Sequence, residues 1–98
     1  MKIFKYKLNY NPIPQQYVSI ELPQGAKVLS ISEDGYLYAM VDPEASTGPV
    51  YFYVYWTGVE CKDGYYLGSF TSYGLVYHVF MDYNYDWKIQ SNSTEVTK

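Results

Sequence analysis

The chain contains no arginine; all seven of its basic residues are lysines, and the net charge is −3. Duplex nucleic-acid binding depends on arginine and a strongly positive field, so the composition argues against it. A small anionic ligand needs only a few local donors and stays open. Cys61 is the only cysteine, so no intrachain disulfide can form. His78 is the only histidine, and one His with one Cys cannot complete the usual structural zinc set. No apolar run approaches the length of a membrane span. The opening Met1-Lys2-Ile3-Phe4-Lys5-Tyr6-Lys7 carries charge at every second or third position and no apolar signal region. The expectation is a soluble cytosolic protein, in which the Asn92-Ser93-Thr94 sequon is silent. There is no internal repeat, no phosphate-binding loop, no dinucleotide fingerprint and no helical stripe.

What is abundant is tyrosine, with fourteen in 98 residues against four phenylalanines and two tryptophans. Tyrosine is apolar in body and polar at its tip, so it suits half-buried surfaces and surfaces that bind something. The longest β-type run is Val50 to Trp56, followed by Thr57-Gly58. Alternation places Val50, Phe52, Val54 and Trp56 on one face, read as core. Tyr51, Tyr53, Tyr55 and Thr57 take the other. Such a tyrosine ladder serves as sheet cladding, subunit interface or stacking platform, and Gly58 permits close backbone approach to a ligand.

The same period of two recurs along the chain. Residues 2–8 set Phe4, Tyr6 and Leu8 against Ile3, Lys5 and Lys7. Asn9 to Pro14 breaks regular structure; Tyr17 to Leu22 resumes it with Val18, Ile20 and Leu22 on one face. Lys27 to Ser32 and Tyr36 to Val41 flank an Asp34-Gly35 hairpin signal. Asp42 to Pro49 reads as a loop, the most mobile one, and a short helix there or near Gln15 would not change the class. Tyr65 to Thr71 and Leu75 to Met81 are joined by Ser72-Tyr73-Gly74. The pattern predicts an all-β fold: a small antiparallel β-sandwich or barrel of seven to eight short strands. Residues 1–82 form a single β domain. Residues 83–98 form a C-terminal extension in which Tyr83 to Gln90 alternates as an extra edge strand before a polar tail.

Catalytic chemistry finds little to build on. Cys61 lies in a turn among acidic residues that raise a thiol pKa, which disfavours a Cys61–His78 nucleophile pair. The carboxylates sit mostly in turns, with nothing pairing them as acid and base. His78 is mid-strand and reads either as a half-buried structural histidine or as a donor to a ligand. Lys5, Lys7 and Lys27 lie on strands, where they supply positive ends to a groove or guard an exposed sheet edge.

Several segments, in their order, resemble a widespread family of short bacteriophage proteins, most without an assigned function. They are Met1 to Tyr6, Glu21 to Ser30, Ala39 to Glu44, Thr57-Gly58, Tyr66 to Ser69 and Gly74 to Phe80, and together they span most of residues 1–81. That family is similar in turn to phage nucleotide sponges, which sequester the cyclic dinucleotide signals of bacterial CBASS defence, notably 3′,3′-cyclic GMP–AMP, without cleaving them. The resemblance implies a non-enzymatic protein of the host bacterial cytoplasm without a cofactor. It also implies a homo-oligomer, dimer or tetramer, with ligand pockets between subunits. On this reading Tyr38, Trp56 and Tyr10 stack on bases, Lys27 and Lys5 face phosphates, and Thr57 and His78 donate hydrogen bonds. Trp56 is included despite its core-face position because it ends its strand, where a pocket mouth can form. A different reading is a protein–protein interaction module, a phage structural component or an inhibitor docking on a host protein through the tyrosine face. A small enzyme degrading a nucleotide signal is the third.

Overall fold

The structure is a computed structural model, and it describes residues 1–83. Seven strands follow one another: β1 (Lys2–Lys7), β2 (Gln15–Pro23), β3 (Lys27–Ile31), β4 (Tyr36–Val41), β5 (Thr47–Trp56), β6 (Tyr65–Ser72) and β7 (Leu75–Met81). No helix occurs among the described residues. All pairings are antiparallel. They form two sheets, one ordered β1-β4-β3 and one ordered β2-β5-β7-β6. The expected sandwich is the architecture found.

Alternation decides which side chains meet between the sheets. From the three-stranded sheet come Leu37, Ala39 and Val41; from the larger one come Ile20, Leu22, Val50, Phe52, Val54, Tyr77, Val79 and Met81, all buried in one cluster. The alternate residues of the same strands face outward. Tyr55 is the exception on the outer side, only 6% exposed. The segment after β5 folds over it, and the Lys62 backbone N–H donates to its hydroxyl at 3.0 Å.

Two bulges adapt the sheets to each other. Leu29 is the extra residue in β3, and Leu67 the extra residue in β6. At the second bulge Gly68 has φ +140°, and a Cβ there would lie 3.0 Å from Ile31 Cγ2. The edge strands of the two sheets thus meet at a glycine, which closes that side of the sandwich against further strand pairing.

Two expectations change. The loop expected over Asp42–Pro49 is shorter, because β5 begins at Thr47 and pairs Thr47, Gly48 and Pro49 with Pro23, Leu22 and Glu21. Pro49 is tolerated since β7 pairs with β5 only from Phe52 onward, so the missing N–H falls where β5 borders β2 alone. Gln15 to Tyr17 is strand rather than helix, paired with Tyr53 to Tyr55. Of the expected 83–98 extension, with its edge strand over Tyr83 to Gln90, all but Tyr83 lies outside the described residues; Tyr83 is a turn residue whose ring meets Tyr65 edge-on at 4.7 Å.

Burial separates neighbouring aromatics of β5. Phe52 is fully buried while Tyr51 is 41% exposed. Phe52→Ala is expected to lower the free energy of unfolding by about 3–5 kcal/mol through the cavity it leaves. Tyr51→Ala loses one cross-strand ring pair and should cost under about 1 kcal/mol. Urea unfolding of both variants checks this; equal losses would contradict the inward–outward assignment.

Candidate functional site

Three surfaces carry the polar and aromatic side chains that the core excludes. The first is the outer face of the three-stranded sheet. Register places Lys5 opposite Tyr38, with Ser30 on Tyr38's other side; Met40 stands between Ile3 and Lys27, and Lys7 opposite Tyr36. Directly opposed residues share a face. Three lysines therefore share one face with Tyr36 and Tyr38, and none of these outward strand residues is acidic. The Lys5 ammonium sits 4.7 Å from the centre of the Tyr36 ring, a cation–π contact that fixes its position. Lys5, Lys27 and Tyr38, named separately from the sequence, are brought onto one surface.

The second surface is the outer face of the four-stranded sheet. Tyr17 stacks on Tyr51 at 5.1 Å and on Tyr53 at 4.6 Å; Tyr53 continues to Tyr55, and Tyr55 meets Phe80 edge-on. The Tyr17 and Tyr53 hydroxyls both donate to Asp82 Oδ2, at 2.8 and 3.3 Å. A groove of about 410 Å³ runs beside them, lined by Gln15, Gln16, Glu60 and Lys62 among others. Farther along the same face, His78 is held through both ring nitrogens. Nε2 lies 2.8 Å from Thr57 Oγ1, and Nδ1 lies 3.1 Å from the Tyr66 hydroxyl. One nitrogen of a neutral imidazole donates and the other accepts, so each neighbour completes it. Cys61 is exposed, and the histidine's bonding capacity is already taken by Thr57 and Tyr66. Gly58, which follows Thr57, has φ +90° with open space around it. Its glycine serves the turn conformation rather than a close approach.

The third surface is one end of the sandwich, where the β1–β2 connection, the β3–β4 hairpin and the β6–β7 hairpin converge. They enclose a cavity of about 550 Å³. Tyr10 forms part of its wall, packed against Phe70 at 4.8 Å and Tyr77 at 4.9 Å, and its hydroxyl donates to Ser72 Oγ at 2.9 Å. Tyr36 and Lys7 also line it, so the cavity is continuous with the lysine face. Trp56 sits on the inner side of its strand, half-buried and edge-on to Tyr77 at 6.2 Å, with its side chain on the opposite face from that of Thr57.

The seven residues named from the sequence therefore fall into two groups. Lys5, Lys27, Tyr38 and Tyr10 belong to the lysine face and the end cavity, with Trp56 behind that cavity's wall. Thr57 and His78 lie on the opposite outer face. Sequence reasoning did not single out Tyr77 or Tyr73, both of which border the end cavity. The signal for Tyr73 was present: a tyrosine before glycine in a two-residue hairpin loop, where asparagine or aspartate is the usual occupant.

This geometry defines a small antiparallel β-sandwich with an aromatic, lysine-rimmed end. Residues 1–90 match the family model described as a domain of unknown function, DUF7352, and the chain belongs to that family. No curated protein and no solved structure matches it.

The Asp82 cluster makes an alkaline prediction. Partial shielding from water among stacked rings, and then the hydrogen bond to Asp82, push the half-exposed Tyr17 hydroxyl above the usual phenol range. The folded state holds this proton more tightly than the unfolded chain does. Its stabilising contribution is complete below about pH 10, the unfolded phenol value, and is lost as pH rises beyond it toward the folded value. The stability difference between wild type and Tyr17→Phe should narrow above that pH in thermal melts. A constant difference would contradict the assignment.

Proposed function

We propose that this protein is a non-catalytic phage protein that binds and sequesters a cyclic dinucleotide immune signal of the 3′,3′-cyclic GMP–AMP type, and so blocks CBASS defence in the host cytoplasm. The observation that carries the reading is the lysine face. In an acidic chain without arginine, Lys5, Lys7 and Lys27 share one face of one sheet with Tyr36 and Tyr38, and that face runs into an aromatic cavity. A cyclic dinucleotide is two bases on a doubly charged ring. Stacking contributes about 1–3 kcal/mol per base, so two bases give roughly 2–6 kcal/mol. Nanomolar sequestration needs about 12 kcal/mol. Charge-assisted donors to the phosphates and hydrogen bonds to base edges supply the remainder.

Thr57 and His78 face away from the lysine surface, across the thickness of the sandwich. They touch the same ligand only if another copy of the chain brings its opposite face to it. A two-fold assembly that presents each donor twice suits a two-fold-like ligand, in keeping with the homo-oligomer implied by the resemblance. A second reading rests on the stacked Tyr17, Tyr51, Tyr53 and Tyr55 row: a protein–protein module that docks on a partner through that face.

The test is to mix the protein with a panel of cyclic dinucleotides, measure binding, then denature it by heat and analyse what is released. Intact ligand recovered in stoichiometric amount is the expected result. Cleaved ligand would convert the reading to an enzyme, and absence of binding across the panel would leave the docking module. Lys5→Ala and Lys27→Ala should each weaken binding about tenfold, with a reduced dependence on salt. An unchanged affinity would remove that lysine from the site.

A further inference from the structure

The two sides of the sandwich are unequal. On one, β3 and β6 meet at Gly68. On the other, β1 ends its sheet: it pairs with β4 alone, and no strand among the described residues covers its outer edge. Two hydrogen bonds show which backbone groups that edge offers. The Leu8 N–H donates to the Gly35 carbonyl at 3.2 Å, and the Ser32 N–H donates to the Tyr36 carbonyl at 2.7 Å. Leu8 is therefore turned toward β4, while Tyr36, opposite Lys7, is turned toward β3. Backbone direction alternates along a strand. Phe4 and Tyr6 bond to β4 as Leu8 does, and Ile3, Lys5 and Lys7 present their N–H and C=O groups to the open edge.

The side chains on this edge are apolar as well as basic. Ile3 is 61% exposed, and Phe4, on the inner side opposite fully buried Ala39, is still 40% exposed. Edge lysines ordinarily block strand addition, and Lys2, Lys5 and Lys7 do so in most registers. A second β1 added antiparallel must keep inner face with inner face, so each two-fold pairing centres on a residue. Centring on Lys5 sets it against the partner's Lys5. Centring on Tyr6 sets Lys5 against the partner's Lys7. Centring on Ile3 leaves Tyr6 and Lys7 unpaired. Centring on Phe4 uses all of residues 1–7 and opposes no two lysines. Phe4 then meets the partner's Phe4, Ile3 the partner's Lys5, Lys2 the partner's Tyr6 and Met1 the partner's Lys7.

We infer that the open edge of β1 is a two-fold interface with a second copy of this chain, centred on Phe4. The two three-stranded sheets become one continuous sheet. Ile3 and Lys5 of each copy exchange N–H···O=C bonds with the partner's Lys5 and the partner's Ile3. Phe4 and the partner's Phe4 form the non-hydrogen-bonded pair at the axis, the geometry in which side chains come closest. On the outer side the two lysine faces join, with Lys5 and the partner's Lys5 placed diagonally across the axis. The interface stands on β1 alone and holds whether or not that face takes a nucleotide.

The experiment is sedimentation of the full chain from micromolar to millimolar concentration, where a dimer is expected. Ile3→Lys sets like charges opposite each other at two symmetric places and should weaken the dimer about tenfold. Ile3→Glu sets a carboxylate opposite the partner's Lys5 and should tighten it. Position 3 is exposed, so both variants should melt with the wild type at concentrations where the chain is monomeric. In a Cys61→Ser background, Phe4→Cys should oxidise to a covalent dimer. A non-hydrogen-bonded pair holds its Cα atoms about 4.5 Å apart, within disulfide reach. A chain that stays monomeric, or a dimer indifferent to both Ile3 changes, overturns the interface. Association that responds to Ile3 without forming the cross-link means that β1 adds to a different strand, and overturns the two-fold register.

Discussion

The constraint that orders this molecule is the strand period of two acting on two sheets with one shared interior. Each strand must give every second side chain to the space between the sheets. Leu37, Ala39, Val50, Phe52, Val54 and Val79 fill that space with almost no exposure. The tyrosines far outnumber the places the interior can offer; among the described residues only Tyr77, within the core, and Tyr55, beneath the segment after β5, are buried. The other described tyrosines lie on outer faces, at the turns or half-sheltered at the ends. A surface rich in tyrosine follows from a small core combined with an aromatic composition.

That constraint also distributes charge. Because Leu37, Ala39 and Val41 face inward, their partners across the sheet commit Lys5, Lys7 and Lys27 to the outside together with Tyr36 and Tyr38. The acidic residues fall mainly in turns, such as Asp42 and Glu60, so the outward strand positions of the lysine face carry no carboxylate despite the net charge of −3, while Asp34 lines the end cavity beside it. The opposite face satisfies its hydroxyls internally: Asp82 takes two tyrosines, and His78 takes Thr57 and Tyr66. In the packed interior behind the end cavity, the Tyr77 hydroxyl and the Trp56 indole Nε1 are buried without a partner.

The fold was largely legible in the sequence because alternation and turn chemistry agree almost everywhere. Asp34-Gly35 and Tyr73-Gly74 mark the two hairpins, and the inward faces of β4, β5 and β7 can be read directly from their apolar residues. The start of β5 was hidden, because Gly48 and Pro49 carry loop chemistry while their pairing depends on how far β2 extends. The two bulges were hidden for a similar reason: Leu29 and Leu67 read as ordinary strand residues until the partner's register is known. The candidate site was legible in composition but not in assembly. Lysines and tyrosines could be named, yet nothing local says that Thr57 and His78 face away from Lys5. Nor can a sequence show that the Tyr77 hydroxyl lacks a partner, since this depends on what surrounds it after folding.

The central proposal is that a ligand binds at the lysine face and the end of the sandwich it runs into. Backbone amide chemical-shift mapping with 3′,3′-cyclic GMP–AMP tests it most directly. The account predicts the largest perturbations at Lys5, Lys7, Tyr10, Tyr36 and Tyr73, with smaller ones along β4 and β3. Perturbations confined to Tyr17, Tyr51 and Tyr53 would contradict it.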